Sequence, residues 1–290
     1  MNREMPIFPV CRGSAVARLM PLLLGLFLCL CNSTARAQAP AGGYSFGIGP
    51  AQSAIELAKR WTPVMQYLSE KSGVSLQFKT AKDIPTFQQQ MHEGIYDFAY
   101  VNPYLYLQYH KELGYTAFAR EKDGKLTGVL VVKKDGPIQD VTQLNGQTVA
   151  FPTAAALAAT WLPLGMLKDK GVQVTPRYVN SMDSVYRSVA KGLFPAGGGE
   201  LRTLGTIDPG INNQLRVLWT AEGLPPFTFA AHPRVPKAVL AKVQKALDEM
   251  DRDPQGQALL KANNFKGMEL ATDADYNAMR TLNIHPVEAK

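Results

Sequence analysis

The stretch Gly94-Ile95-Tyr96-Asp97-Phe98-Ala99-Tyr100-Val101-Asn102-Pro103-Tyr104 holds a strand, a turn and a helix start in one short run. Residues 97–101 are a short, mostly apolar segment that reads as a strand. Asn102 is a strong helix cap. Pro103 suits the first helical position, where the N–H it lacks would have no partner anyway. The helix continues to Leu113 and stops at Gly114. A strand that passes directly into a helix is the repeating unit of an α/β fold built on mostly parallel sheet.

The same unit recurs on both sides. Upstream, Tyr44-Ser-Phe-Gly-Ile48 reads as a strand, and Ser53-x-x-Glu56 opens a helix with a capping box. Leu57, Trp61, Val64 and Leu68 share one face of that helix, Pro63 should bend it, and Gly73 should end it. Residues 75–79 read as a second strand, followed by a short helix to Glu93. Downstream, residues 115–119 and 128–132 read as strands, the latter apolar throughout and so buried on both faces.

A second series starts near residue 135. Its strands are expected at 148–151, 177–179 and 215–219, with Thr153 capping an alanine-rich helix to Asp169 and Ser181 capping a helix that ends at Gly192. Residues 196–199 read as a Gly-rich turn after a short strand. Residues 227–231 return the chain to the first series, and an amphipathic helix follows over Val239–Met250. Two lobes result, residues 38–133 plus 227–290 and residues 134–226.

The N-terminus sets the compartment. Arginines at 3, 12 and 18 precede an apolar run from Leu19 to Cys31 and the site Ala35-Arg36-Ala37. This is a secretory signal over residues 1–37 with cleavage after Ala37, which makes the mature protein a secreted one. The run is shorter than the roughly 20 residues a bilayer core requires. A lipid anchor at Cys29 or Cys31 is the lesser alternative, because Leu28 and Leu30 stand where a small residue is wanted. All three cysteines lie in this segment, so the mature chain has no disulfide, zinc–cysteine site or cysteine nucleophile. The first 37 residues hold four arginines against Glu4, so three of the chain's seven net positive charges leave with them. The remainder is mildly basic without a dense Lys/Arg run, and nucleic-acid binding is not indicated.

In parallel sheets, ligands bind beyond the C-terminal ends of strands, where helix N-termini favour anions. Five such corners occur, at residues 49–53, 100–104, 151–153, 180–183 and 197–200. They supply the candidate ligand-binding residues Tyr100, Asn102, Tyr104, Thr153, Ser181, Asp183 and Gly198. Capping alone would account for Ser53, Asn102, Thr153 and Ser181, and dipole complementation for Asp183 and Glu200. Tyr106 and Tyr109 read as core. Enzyme signatures are missing. The mature chain has no G-x-S-x-G and no P-loop, Gly197-Gly198-Gly199 lacks dinucleotide spacing, and His92, His110, His232 and His285 are too scattered for a metal site. No cofactor is expected.

The ordered set Phe46-Gly47-Ile48-x-Pro50, Arg60-Trp61-x-Pro63, Gly94-x-Tyr96-Asp97-Phe98-Ala99, Asn102-Pro103-Tyr104, Lys134-Asp135-x-Pro137-Ile138, Leu144-x-Gly146, Val149-Ala150-Phe151-Pro152, Leu162-Pro163 and His232-Pro233-Arg234-Val235-Pro236 resembles the phosphate/phosphite/phosphonate-type solute-binding proteins of ABC transporters. The resemblance implies a type II periplasmic-binding-protein fold, with two lobes, two crossover strands and hinge closure on one small solute. It implies no catalysis, and as partners an ABC permease and ATPase at the inner membrane; the binding protein itself is expected to be a monomer. Phosphonate binders of the family open the helix containing Pro163 with a Ser-Thr pair, where this chain has only alanines and Leu157 over residues 154–159. Pro195 replaces an acidic residue, and Met182 stands where a histidine is common. The solute is thus open between a phosphonate, a smaller or less charged molecule, and an anion held by backbone. A receptor reporting to a membrane sensor and an enzyme on this fold are the other two readings.

Overall fold

The computed structural model describes residues 42–280. The expected signal segment with its cysteines, and His285, lie outside the described residues. Within them are two mixed sheets, each flanked by helices.

The first series runs β1 Tyr44–Ile48, α1 Ala54–Ser72, β2 Leu76–Lys79, α2 Ile84–His92, β3 Phe98–Val101, α3 Pro103–Leu113 and β4 Thr116–Glu121. The chain then enters the second sheet with β5 Gly128–Lys133 and β6 Thr148–Phe151, followed by a π-helical turn Leu157–Trp161 that leads into α4 Leu162–Asp169. Next come β7 Thr175–Tyr178, α5 Met182–Ala190, β8 Ala196–Glu200, α6 Leu201–Leu204, α7 Pro209–Asn212 and β9 Leu215–Thr220. It returns with β10 Thr228–Ala231, α8 Lys237–Asp248, α9 Pro254–Ala262, β11 Met268–Leu270 and α10 Asn277–Arg280.

The sheet orders are β11-β4-β10-β3-β1-β2 and β7-β6-β8-β5-β9. The strand–helix–strand units pair in parallel, β2 and β3 on β1 in one sheet and β7 and β8 on β6 in the other. Strands beside the crossings pair antiparallel, so each sheet is mixed rather than parallel throughout. β5, grouped by sequence with the first series, is a strand of the second sheet. The two crossing segments touch as a single antiparallel bridge, in which Leu126 N–H donates to the Leu224 carbonyl at 2.9 Å and Leu224 N–H to the Leu126 carbonyl at 3.0 Å.

Local chemistry accounts for much of this. Asn102 caps α3 by accepting from Leu105 N–H at 2.9 Å, and Gly114 ends it at φ 74°. Helix α1 runs through Pro63 without a break and buries Leu57, Trp61, Val64 and Leu68. Along β5, Val129 and Val131 pack in one core cluster and Leu130 and Val132 in another, as a strand covered on both faces requires. Tyr96, Tyr106 and Tyr109 are fully buried in the core.

Two readings are corrected. Thr153 does not cap a helix, because residues 153–156 are held as a loop. Thr160 Oγ1 donates to the Thr153 carbonyl at 2.7 Å, Trp161 Nε1 donates to the Ala154 carbonyl at 2.6 Å, and helical structure begins only at Leu157. Residues 196–199 are not a turn but part of the buried strand β8. A Cβ on Gly198 would overlap the Ala159 carbonyl oxygen and one on Gly128 the Ala158 carbonyl oxygen, so both glycines let the π turn lie directly on the sheet.

Two of the motif fragments meet in space. Asp97 accepts from Ser45 N–H and Ser45 Oγ, each at 2.8 Å, and from Arg234 Nε at 2.7 Å, while Arg234 also donates to the Gly94 carbonyl. The carboxylate thereby pins β1, β3 and the turn after β10. Asp97→Ala is expected to lower stability by about 2 kcal/mol in urea unfolding, because it removes a charged acceptor shared by the half-buried Ser45 N–H, Ser45 Oγ and Arg234. Arg234→Ala should cost less, since its side chain is 41% exposed.

Candidate functional site

The C-terminal ends of β1, β3 and β8, the N-termini of α1 and α5, and the π turn converge between the two sheets. They enclose two adjoining chambers. The first, about 50 Å³, lies among Asn102, Leu126, Ala156–Ala159, Met182 and Phe227. The second, about 60 Å³, lies among Gln52, Arg60, Trp61, Tyr100, Thr203 and Arg202. Glu200 lines both. At roughly 10–15 Å³ per water-sized group, each chamber has room for about four such groups.

Apart from Asn102, whose Oδ1 caps α3, the first chamber is apolar except at two places. One is the start of the π turn, where no side chain caps the helix. The N–H groups of Leu157, Ala158 and Ala159 come too early in the helix for an intrahelical acceptor, and the dipole is positive there. The other is Glu200, only 4% exposed. Its Oε2 accepts from Thr203 Oγ1 at 3.1 Å, while Oε1 is buried without a partner. A buried carboxyl oxygen in that position calls for a hydrogen-bond donor.

In the second chamber, Arg202 spans from one sheet to the other. Its Nη1 donates to the Tyr100 hydroxyl oxygen at 2.6 Å and its Nη2 to Glu121 Oε2 at 2.5 Å, and its guanidinium carbon sits 5.0 Å over the Phe265 ring. Burial pushes the Glu121 carboxyl above its ordinary value, with Arg202 pulling it back. Burial opposes the Arg202 charge, and Tyr100, Glu200 and Glu121 together outweigh that and keep it protonated. Burial also raises the Tyr100 hydroxyl well above a free phenol, so it stays neutral.

Other bonds join the two sheets at the rim. Asp183 accepts from Gln52 Nε2 at 3.3 Å and from Ser53 N–H at 3.2 Å, and Met182 N–H donates to the Ala51 carbonyl at 3.2 Å. Arg60 donates to the Thr206 carbonyl. Tyr104 meets Trp161 edge-on, with centroids 5.0 Å apart.

Of the residues singled out by sequence, Tyr100 lines the second chamber and Asn102 the first. The other five line neither. Tyr104 meets Trp161 edge-on, and Thr153 accepts from Ala155 N–H at 3.3 Å in its loop. Ser181 caps α5 through Ser184 N–H, at 3.2 Å, and Asp183 serves as the anion at the N-terminus of α1 across the gap. Gly198 is buried beneath the π turn. Sequence reasoning placed Glu200 at a corner but missed Arg202, Glu121, Arg60 and Phe265. Arg202, two residues past a strand end, carried the one available signal. Among the described residues, no group of three or more His, Cys, Asp or Glu side chains could hold a metal ion.

Residues 46–276 match the family described as ABC transporter, phosphonate, periplasmic substrate-binding protein. The fold resembles that of a binding-protein component of an ABC phosphonate transporter from Pseudomonas aeruginosa, with TM-score 0.73 and 15% identity over 82% of this chain and 84% of that one. It also resembles PhnD1 from Prochlorococcus marinus, whose structure contains methylphosphonate, with TM-score 0.72 and 15% identity over 82% of this chain and 95% of that one. A Xanthomonas citri protein bound to chloride ion superposes with TM-score 0.61 and 16% identity over 81% of this chain and 95% of that one. The family consists of transport proteins rather than enzymes, works in the periplasm, and has a small molecule and a membrane transporter as partners. The matched stretch takes in both sheets and both chambers, and the chain accordingly belongs to the periplasmic phosphonate-type substrate-binding protein family of ABC transporters.

Proposed function

We propose that this chain captures one small oxyanion of the phosphonate class, bearing a hydrogen-bond donor, in the first chamber. The observation that carries the reading is the pairing of an uncapped helix start with the unpartnered Glu200 Oε1 on the walls of one chamber. Backbone N–H groups of the π turn favour an anion. The carboxyl of Glu200 disfavours a second negative charge and accepts from a protonated oxygen or another donor on the solute. The apolar walls leave room for a short alkyl substituent, and the small volume argues against a bulky one.

The two sheets are read as two jaws. Residues 42–121 with 228–280 form one and residues 128–220 the other, so the first boundary moves ahead of β5 from the position expected by sequence. The paired crossings at Leu126 and Leu224 serve as the hinge. The secreted protein, freed of residues 1–37, acts as a monomer and hands its solute to an ABC permease and ATPase at the inner membrane.

Calorimetric titration with methylphosphonate, phosphite and phosphate tests the reading. Binding of at least one is expected, and it should weaken about tenfold between pH 6 and pH 8.5 as the solute loses its second proton. Glu200→Gln should flatten that dependence. Failure of all three oxyanions to bind at millimolar concentration would refute the anion assignment.

A further inference from the structure

Arg202 belongs to the second sheet's side of the molecule, just beyond β8, yet its guanidinium contacts three groups from the other side. These are the Tyr100 hydroxyl at the end of β3, the Glu121 carboxylate at the end of β4, and the Phe265 ring between α9 and β11. The three form a receptor of matched chemistry, with an acid for the charge, a phenol oxygen as second acceptor and an aromatic face for the planar cation. The receptor is rigid. The Tyr100 ring is wedged against Phe229, Trp61 and Phe227 at centroid distances of 4.6, 5.0 and 5.0 Å. It is also dry, with side-chain exposures of 13% for Arg202 and 5% for Glu121. If the two sheets move apart, Arg202 must withdraw from this box and leave the buried Glu121 carboxylate without its cation, with the Lys266 N–H at 3.4 Å still donating to Oε1.

We infer that the Tyr100–Glu121–Phe265 box is a guanidinium-binding site filled by the chain's own Arg202, and that this internal ligand draws the jaws together before any solute arrives. The inference rests on the two-jaw reading above. Because Glu200 lines both chambers, the latch and the solute site share a wall. A solute entering a protein already biased towards closure spends less of its binding energy on closing it. Arg202 therefore acts as a positioning residue that tunes apparent affinity without touching the solute.

The test is small-angle X-ray scattering without added solute. Arg202→Ala should raise the radius of gyration by roughly 1 Å from a compact value of about 18 Å. Guanidinium chloride at about 50 mM, far below denaturing concentration, can fill the box without joining the jaws, so it should leave that expansion in place yet raise the variant's melting temperature above that in the same concentration of sodium chloride. Glu121→Gln, which nearly preserves shape, should expand the protein and show no guanidinium response. Tyr100→Phe, which removes only a hydroxyl, should expand it partially. Asp183→Lys serves as a separate probe of opening, because it puts a cation against the α1 N-terminus at the rim. Expansion by Asp183→Lys but not by Arg202→Ala would overturn the latch and leave the jaws standing. Expansion by neither would overturn both. Expansion of Arg202→Ala with no gain in melting temperature from guanidinium over sodium chloride would overturn the receptor box.

Discussion

Gly198→Ala is expected to destabilise the protein by about 3 kcal/mol or more, which at this size lowers the melting temperature by roughly 6–12 °C. The added Cβ would meet the Ala159 carbonyl oxygen on one side and lie 2.5 Å from the Phe151 ring on the other. Neither neighbour can yield. The carbonyl belongs to the π turn, and Phe151 is a fully buried residue of the adjacent strand β6. Gly165→Ala is the control. Gly165 lies within α4 with no atom within 4 Å of its added Cβ, so the same chemical change there should stabilise by about 0.5–1 kcal/mol through helix propensity. Calorimetric melting of the two variants checks both signs. Equal stability for Gly198→Ala and wild type would mean that the turn does not sit tightly on the sheet.

Ala158→Asp is expected to weaken oxyanion binding at least a hundredfold, about 2.7 kcal/mol. Ala158 is 5% exposed and lines the first chamber at the uncapped start of the π turn. A carboxylate there satisfies the free N–H groups and the dipole from within the chain, and it fills the space the solute needs. Ala158→Ser adds a donor of similar size and should bind at least as well as wild type. Titration with methylphosphonate distinguishes the outcomes. Undiminished binding by Ala158→Asp would remove the π turn from the site.

The parts of the fold that were legible in the sequence are those with local causes. Asn102-Pro103 marks a helix start because a cap and a preset φ act within four residues, and Ser53 and Ser181 do the same for α1 and α5. The alternating clusters under Val129–Val132 could be foreseen from an unbroken apolar run. Other features answer to distant partners. Residues 196–199 look like a turn because glycine has little strand preference, but in the fold Gly198 admits the π turn on one face and Gly197 and Gly199 admit Val185 and Tyr186 of α5 on the other. Thr153 looks like a cap, but hydrogen bonds from Thr160 and Trp161 hold it in a loop. For the candidate site the limit is sharper. Tyr100 and Asn102 were reachable from the strand-end rule. The Arg202–Glu121 pair joins residues 81 positions apart, and no local pattern encodes it.

The edge-on pair of Tyr104 and Trp161 has a practical consequence. The indole comes from one side of the gap and the phenol from the other, so separation of the sheets must pull them apart and bring water to Trp161. Of the other two tryptophans, Trp61 lines the second chamber and Trp219 lies half-buried against the core of the second sheet, so a variant must remove both to isolate the signal. Emission from Trp161 is thus a built-in optical gauge of the gap. A variant carrying that indole alone would read solute concentration by colour shift, with no attached dye.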